Sequence, residues 1–69
     1  MAAYFVRVLT YREAKRRPVM TWVACAQNST GAMHIVAGRI PKGHEIEGVN
    51  KAAQTAGYYK VIEGQARPL

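Results

Sequence analysis

Val19-Met20-Thr21-Trp22-Val23-Ala24-Cys25-Ala26-Gln27-Asn28-Ser29-Thr30-Gly31-Ala32-Met33-His34-Ile35-Val36-Ala37-Gly38-Arg39-Ile40 decides the fold. From Val19 to Gln27, Met20, Trp22, Ala24 and Ala26 share one face, and Val19, Thr21, Val23 and Cys25 share the other. Alternation with β-branched and aromatic side chains reads as a strand. Asn28-Ser29-Thr30-Gly31 has turn composition. Ala32–Ile40 reads as a further strand, with Met33, Ile35 and Ala37 on one face. A tight hairpin then sets Trp22 beside Ala37 and Ala24 beside Ile35, so the apolar faces agree.

Upstream, Tyr4–Thr10 is a strand by the same criteria, with Tyr4, Val6 and Val8 on one face and Phe5, Arg7 and Leu9 on the other. Tyr11–Arg17 is polar and basic and stops at Pro18. Thr10 and Glu13 fit a capping box, which leaves one or two helical turns or a disordered loop open. Downstream, Pro41-Lys42-Gly43 breaks the chain. His44–Ala56 carries Ile46, Val49, Ala53 and Ala56 at helical spacing, with Glu45 and Glu47 in the first turn and Gly57 as a stop. Tyr58–Glu63 reads as a last strand and Gly64–Leu69 as a flexible tail. The expected fold is α+β: one domain over residues 1–69, a small antiparallel sheet of three to four strands in the order β-β-β-α-β, and one helix packed on one face. Ile46, Val49, Ala53 and Ala56 are expected to meet Trp22, Ala24, Met33 and Ile35.

Composition narrows the functional classes. The chain has 69 residues, 10 Lys plus Arg against 4 Asp plus Glu, and a formal charge of +6. Of its 34 hydrophobic residues 11 are alanine, so the core is lean, and association into a homodimer is one way for so small a domain to bury more. No run is long enough to span a membrane, the start lacks the pattern of a secretory signal, and a single cysteine, Cys25, excludes an internal disulfide. A cytoplasmic protein without membrane partners is expected.

The basic segment is the main functional feature. Arg12, Lys15, Arg16 and Arg17 lie within six residues. If the first two strands are antiparallel neighbours, alternating connections bring this segment to the same sheet end as Arg39 and Lys42, with Arg7 just before it. Such an edge binds phosphates and releases counterions.

The other constellations are weaker. Tyr4, Tyr11, Tyr58 and Tyr59 are read as core or rim rather than stacking platforms, and Trp22 as a core anchor. Cys25 lies across from His34 in the expected hairpin, but no group orients the imidazole and no pocket forms, so catalysis is rejected. His34, His44 and Cys25 lack metal-ligand spacing, and no cofactor is expected.

The expected layout, three strands followed by a helix, is similar in order to the small DNA-binding domains of integrases and plant-type AP2 factors, which read the major groove with the sheet. The extra strand Tyr58–Glu63 departs from it. In size the chain is similar to small bacteriophage proteins that inhibit host enzymes. The expectation is a non-enzymatic nucleic-acid-binding module using Arg7, Arg12, Lys15, Arg16, Arg17, Arg39 and Lys42. The alternative is a phage-encoded inhibitor that sets the same cations against an acidic protein surface.

Overall fold

Strands β1 (Ala2–Leu9) and β2 (Val19–Ala26) pair antiparallel, with Val6 opposite Trp22 and Leu9 opposite Val19. The computed structural model describes residues 2–9 and 19–69, and the expected loop or short helix at Tyr11–Arg17 lies outside them. The remaining elements are helix α1 (Ser29–Ala37), strand β3 (Glu45–Lys51) and strand β4 (Ala66–Pro68). All strands join one antiparallel sheet in the order β3-β1-β2-β4. The α+β class with a small antiparallel sheet and one helix is as the sequence implies.

Both central strands are covered on both faces, which accounts for the nearly unbroken apolar run of β2. On one face Val6, Val8, Ala24 and Ala26 form a core with Ala32 and Val36 of α1, joined by Tyr4, Trp22, Ile35, Ile46 and Val49. On the other, Ala3, Val23 and Cys25 are buried under the segment after β3 by Ala52 and Val61, with Phe5, Ala56 and Tyr59 alongside. Among the described residues the largest fully buried side chains are valines: Val6, Val8, Val23 and Val36. The core is therefore as lean as the alanine count suggests.

The chain order differs from the expected β-β-β-α-β. The stretch read as a strand, Ala32–Ile40, belongs largely to α1. Apolar residues at 32, 33, 35, 36 and 37 satisfy both periods, so alternation alone could not decide. The decision lies at Asn28. Its backbone is extended (φ −153°, ψ 175°) and its Oδ1 accepts from Gly31 N–H at 2.8 Å. That is N-cap geometry, and it satisfies an N–H the first helical turn would leave unpaired. The supposed turn Asn28–Gly31 is a helix start. Ala32 and Val36, four apart, are then both buried against the sheet. The similarity in order to integrase and AP2 domains ends with this correction.

The segment read as a helix, His44–Ala56, contains β3. Its helical spacing comes from a bulge. Arg7 faces Gly48 but Val8 faces Ile46, so Glu47 is an extra residue without an opposite number. One extra residue lets Ile46 and Val49, three apart, point to the same side of a strand. They pack against the same core as Trp22, Ala24 and Ile35, but from a strand, paired with Val8 and Val6. Ala53 is exposed and Ala56 joins the opposite layer.

Tyr58–Glu63 is not a strand. Residues 56–60 make a single helical turn closed by a Schellman pair: Val61 N–H donates to Ala56 O at 3.2 Å and Lys60 N–H to Gly57 O at 3.1 Å. Val61 is buried in the second core and Ala56 packs against that core, in keeping with the apolar contact that often accompanies this motif. Lys60 occupies the left-handed position with φ 61°, where glycine is the usual residue and a side chain costs about 1–2 kcal/mol.

Gly64–Leu69, expected as a tail, supplies β4 on the edge beside β2. Cys25 N–H donates to Gln65 O at 3.0 Å and Leu69 N–H to Thr21 O at 2.9 Å. Residues of that parity turn their backbone groups toward β2, so Ala66 and Pro68 turn theirs outward. Proline has no N–H, and Ala66 is left as the outward donor of this short edge strand.

Candidate functional site

The strand residues that flank the two connections richest in cations lie at one end of the sheet. β1 delivers the chain at Leu9, and β2 receives it back at Val19, the residue paired with Leu9. On its other side Leu9 pairs with Glu45, the first residue of β3. The connection from α1 into β3 therefore arrives at the sheet end where residues 10–18 depart. It carries Arg39 and Lys42, both exposed. Arg39 N–H donates to Val36 O at 2.9 Å, closing the end of α1. A cation here also suits the negative end of the helix dipole. Gly43, with φ 94°, turns the chain from Lys42 toward β3. Arg12, Lys15, Arg16 and Arg17 lie outside the described residues. By sequence, residues 10–18 and 38–45 together hold six of the ten cations, accompanied by the acids Glu13 and Glu45.

Arg7 stands apart from this group. It points away from α1, and its Nε donates to Glu47 Oε1 at 2.9 Å. With the Asn50 amide oxygen turned toward the guanidinium, Arg7 Nη1 also donates to Asn50 at 3.0 Å. The guanidinium lies across Gly48, where an added Cβ would come within 2.9 Å of Arg7 Nη2. Arg7 thus closes the bulge of β3, and Glu47 neutralises it.

The sequence missed an open groove of about 710 Å³ between the end of α1 and β4, lined by Trp22, Ile35, Gly38, Arg39, Arg67 and Pro68 among others. Trp22 Nε1 is buried without a hydrogen-bond partner among the described residues. No signal in the sequence foretells the groove, because one wall is β4, a stretch without a strand pattern. Trp22 does pack on the core, as expected of an anchor.

On the sheet face opposite α1, Phe5 and Tyr59 meet edge to face with centroids 5.3 Å apart, and Tyr59 meets Tyr58 in the same manner at 5.0 Å. Tyr4 and Tyr59 are half-buried, in keeping with core and rim roles. Tyr58 is 67% exposed, and the reading of it as core or rim fails. Tyr11 lies outside the described residues.

The expected Cys25–His34 neighbourhood does not form. Cys25 is buried in the layer away from α1, whereas His34 is exposed on α1. Among the described residues no group of three His, Cys, Asp or Glu side chains is placed to hold a metal ion. No described helix is long and apolar enough to cross a membrane.

No protein-family model, curated protein or solved structure matches the chain. The functional reading therefore rests on the residues themselves.

Proposed function

We propose that this protein is a small non-enzymatic module that binds nucleic acid through the basic connections at one end of its sheet. The observation that carries the reading is the pairing of Leu9 with both Val19 and Glu45, which tethers residues 10–18 and 38–44 to one sheet end. Arg39 and Lys42 supply phosphate contacts there, and Arg12, Lys15, Arg16 and Arg17 add theirs from a segment anchored at both its ends. Arg7 is left out of the contact set, because Glu47 holds its guanidinium. Each phosphate contact releases about one counterion, so a cluster of this size gives affinity that falls steeply with salt.

Titration of fluorescently labelled DNA and RNA at two salt concentrations tests the reading. Micromolar or tighter binding that survives about 0.15 M salt is expected. Arg39→Gln with Lys42→Gln should reduce the salt exponent by about two. Loss of all binding at that salt overturns it. The basic end would then serve an acidic protein surface, the case for the groove beside Trp22 and Arg39 as part of a protein contact. A nuclease-treated pull-down recovering one stoichiometric protein would identify that partner.

A further inference from the structure

The aromatic series on the face opposite α1 ends in a side chain that the fold does not use. Phe5 and Tyr59 are half-buried and contribute to the second core. Tyr58, next in the edge-to-face series, is 67% exposed, and Ile62 nearby in sequence is 65% exposed. Tyr58 thus stands on a mount that runs through Tyr59 and Phe5 to the central strand β1. Two cations accompany it. Arg67 Nη1 donates to the Tyr59 carbonyl at 3.3 Å, which leaves other guanidinium donors for a ligand. Lys60 follows the tyrosine pair directly, in the left-handed conformation that glycine adopts without strain. Backbone strain at a residue with a useful side chain is a pointer to function, and here the residue is an exposed cation two positions along the chain from the exposed ring. Of the acids, Glu47 on this face is held by Arg7.

We propose that Tyr58 is a stacking platform for an unpaired base, with Lys60 and Arg67 binding the adjacent phosphates, so that the preferred ligand is single-stranded nucleic acid. The proposal rests on the nucleic-acid reading above and adds the strandedness of the ligand. An exposed ring needs a base with a free face. A duplex keeps its bases stacked inside, whereas a single strand offers them, and stacking accepts any base. DNA and RNA single strands share this chemistry.

The test compares labelled oligothymidylate, oligouridylate and a mixed-sequence duplex of equal length on the whole chain. Tighter binding of either single strand than of the duplex is expected. Tyr58→Ala, a surface change, should weaken single-strand binding by about fivefold or more and leave duplex binding unchanged, while Tyr58→Phe should retain it. Lys60→Gly should raise the thermal midpoint yet weaken single-strand binding by about twofold or more, two changes in opposite senses that a merely structural lysine would not produce. Equal affinity for single strand and duplex, or unchanged affinity in Tyr58→Ala, overturns the proposal and leaves the broader reading standing. Failure to bind any of the probes overturns both.

Discussion

Deleting Glu47 should cost this domain almost nothing, whereas deleting Asn50, three residues further along the same strand, should destabilise it measurably. In β3 Gly48 faces Arg7 and Ile46 faces Val8, with Glu47 between them and unopposed. Without Glu47 the ladder becomes regular, and Ile46, Gly48 and Val49 keep their partners and their faces. The loss is the Arg7–Glu47 ion pair, whose side chains are each 42% exposed. Such a pair contributes about 0–1 kcal/mol. Asn50 lies in the regular stretch, where Phe5, Val6 and Arg7 face Asn50, Val49 and Gly48. Its removal slips Val49 and Gly48 by one residue until the bulge takes up the shift at Glu47, so Ile46 keeps Val8 as its partner while Val49 turns away from the core of α1. Burying such a side chain fully is worth about 1.5–3 kcal/mol, so displacing the half-buried Val49 costs about 1 kcal/mol or more. A domain of this size holds about 3–5 kcal/mol in all. Urea titration followed by Trp22 emission and far-ultraviolet circular dichroism gives both numbers. The reasoning is refuted if the Glu47 deletion unfolds the chain, or if both deletions cost the same. A helix over 44–56 would predict the latter, since either deletion would rotate its apolar face by about 100°.

Other substitutions address separate parts of the fold. Lys60→Gly relieves about 1–2 kcal/mol of left-handed strain against about 0.5–1 kcal/mol of added chain entropy, a net gain of about 0.5–1 kcal/mol. The thermal midpoint should rise by about 2–8 °C, and Lys60→Ala, which keeps the strain, should show no such rise. Asn28→Ala removes the N-cap acceptor of α1 and should cost about 1 kcal/mol in urea unfolding, most of it recovered by Asn28→Asp. Val6→Ala, at a fully buried central position, should cost about 2 kcal/mol or more, because the tightly paired β1 cannot collapse into the space.

The two central strands were legible because their side chains obey a single rule. Tyr4, Val6 and Val8 alternate with Phe5, Arg7 and Leu9, and no helical period competes; β2 reads the same way. Past Ala26 each segment satisfied a second pattern. Ala32–Ala37 is apolar enough for either period, and only Asn28, read as a turn residue, carried the helix signal. Ile46 and Val49 imitate a helix because the bulge at Glu47 shifts the strand's alternation by one. At Tyr58–Val61 the β-branched and aromatic content pointed to a strand, but a Schellman closure depends on backbone angles, and lysine at the position usually given to glycine hid it. β4 is short, contains Pro68 and contributes little apolar surface, so it left no pattern in the sequence. Of the candidate site, the clustering of Arg12–Arg17 is plain in the sequence, and the arrival of the Arg39 and Lys42 connection at the sheet end of Leu9 and Val19 is legible from alternating chain direction, although a helix and not the expected strand carries the chain back. The Tyr58 surface and the Trp22 groove depend on how residues 52–69 return across the sheet, a long-range matter that local composition does not encode.

Both rims of the four-stranded sheet are interrupted. On one, Glu47 disturbs the spacing of β3 midway along its length; on the other, Pro68 withholds a donor from a strand of three residues. A fibril grows when a native edge offers an incoming strand an unbroken row of partners. Neither rim does so here, and a lean valine core can fray without exposing a ready seed for polymerisation. Deleting Glu47, harmless to the fold, would repair one rim, so that variant should be the first to form fibrils on long incubation.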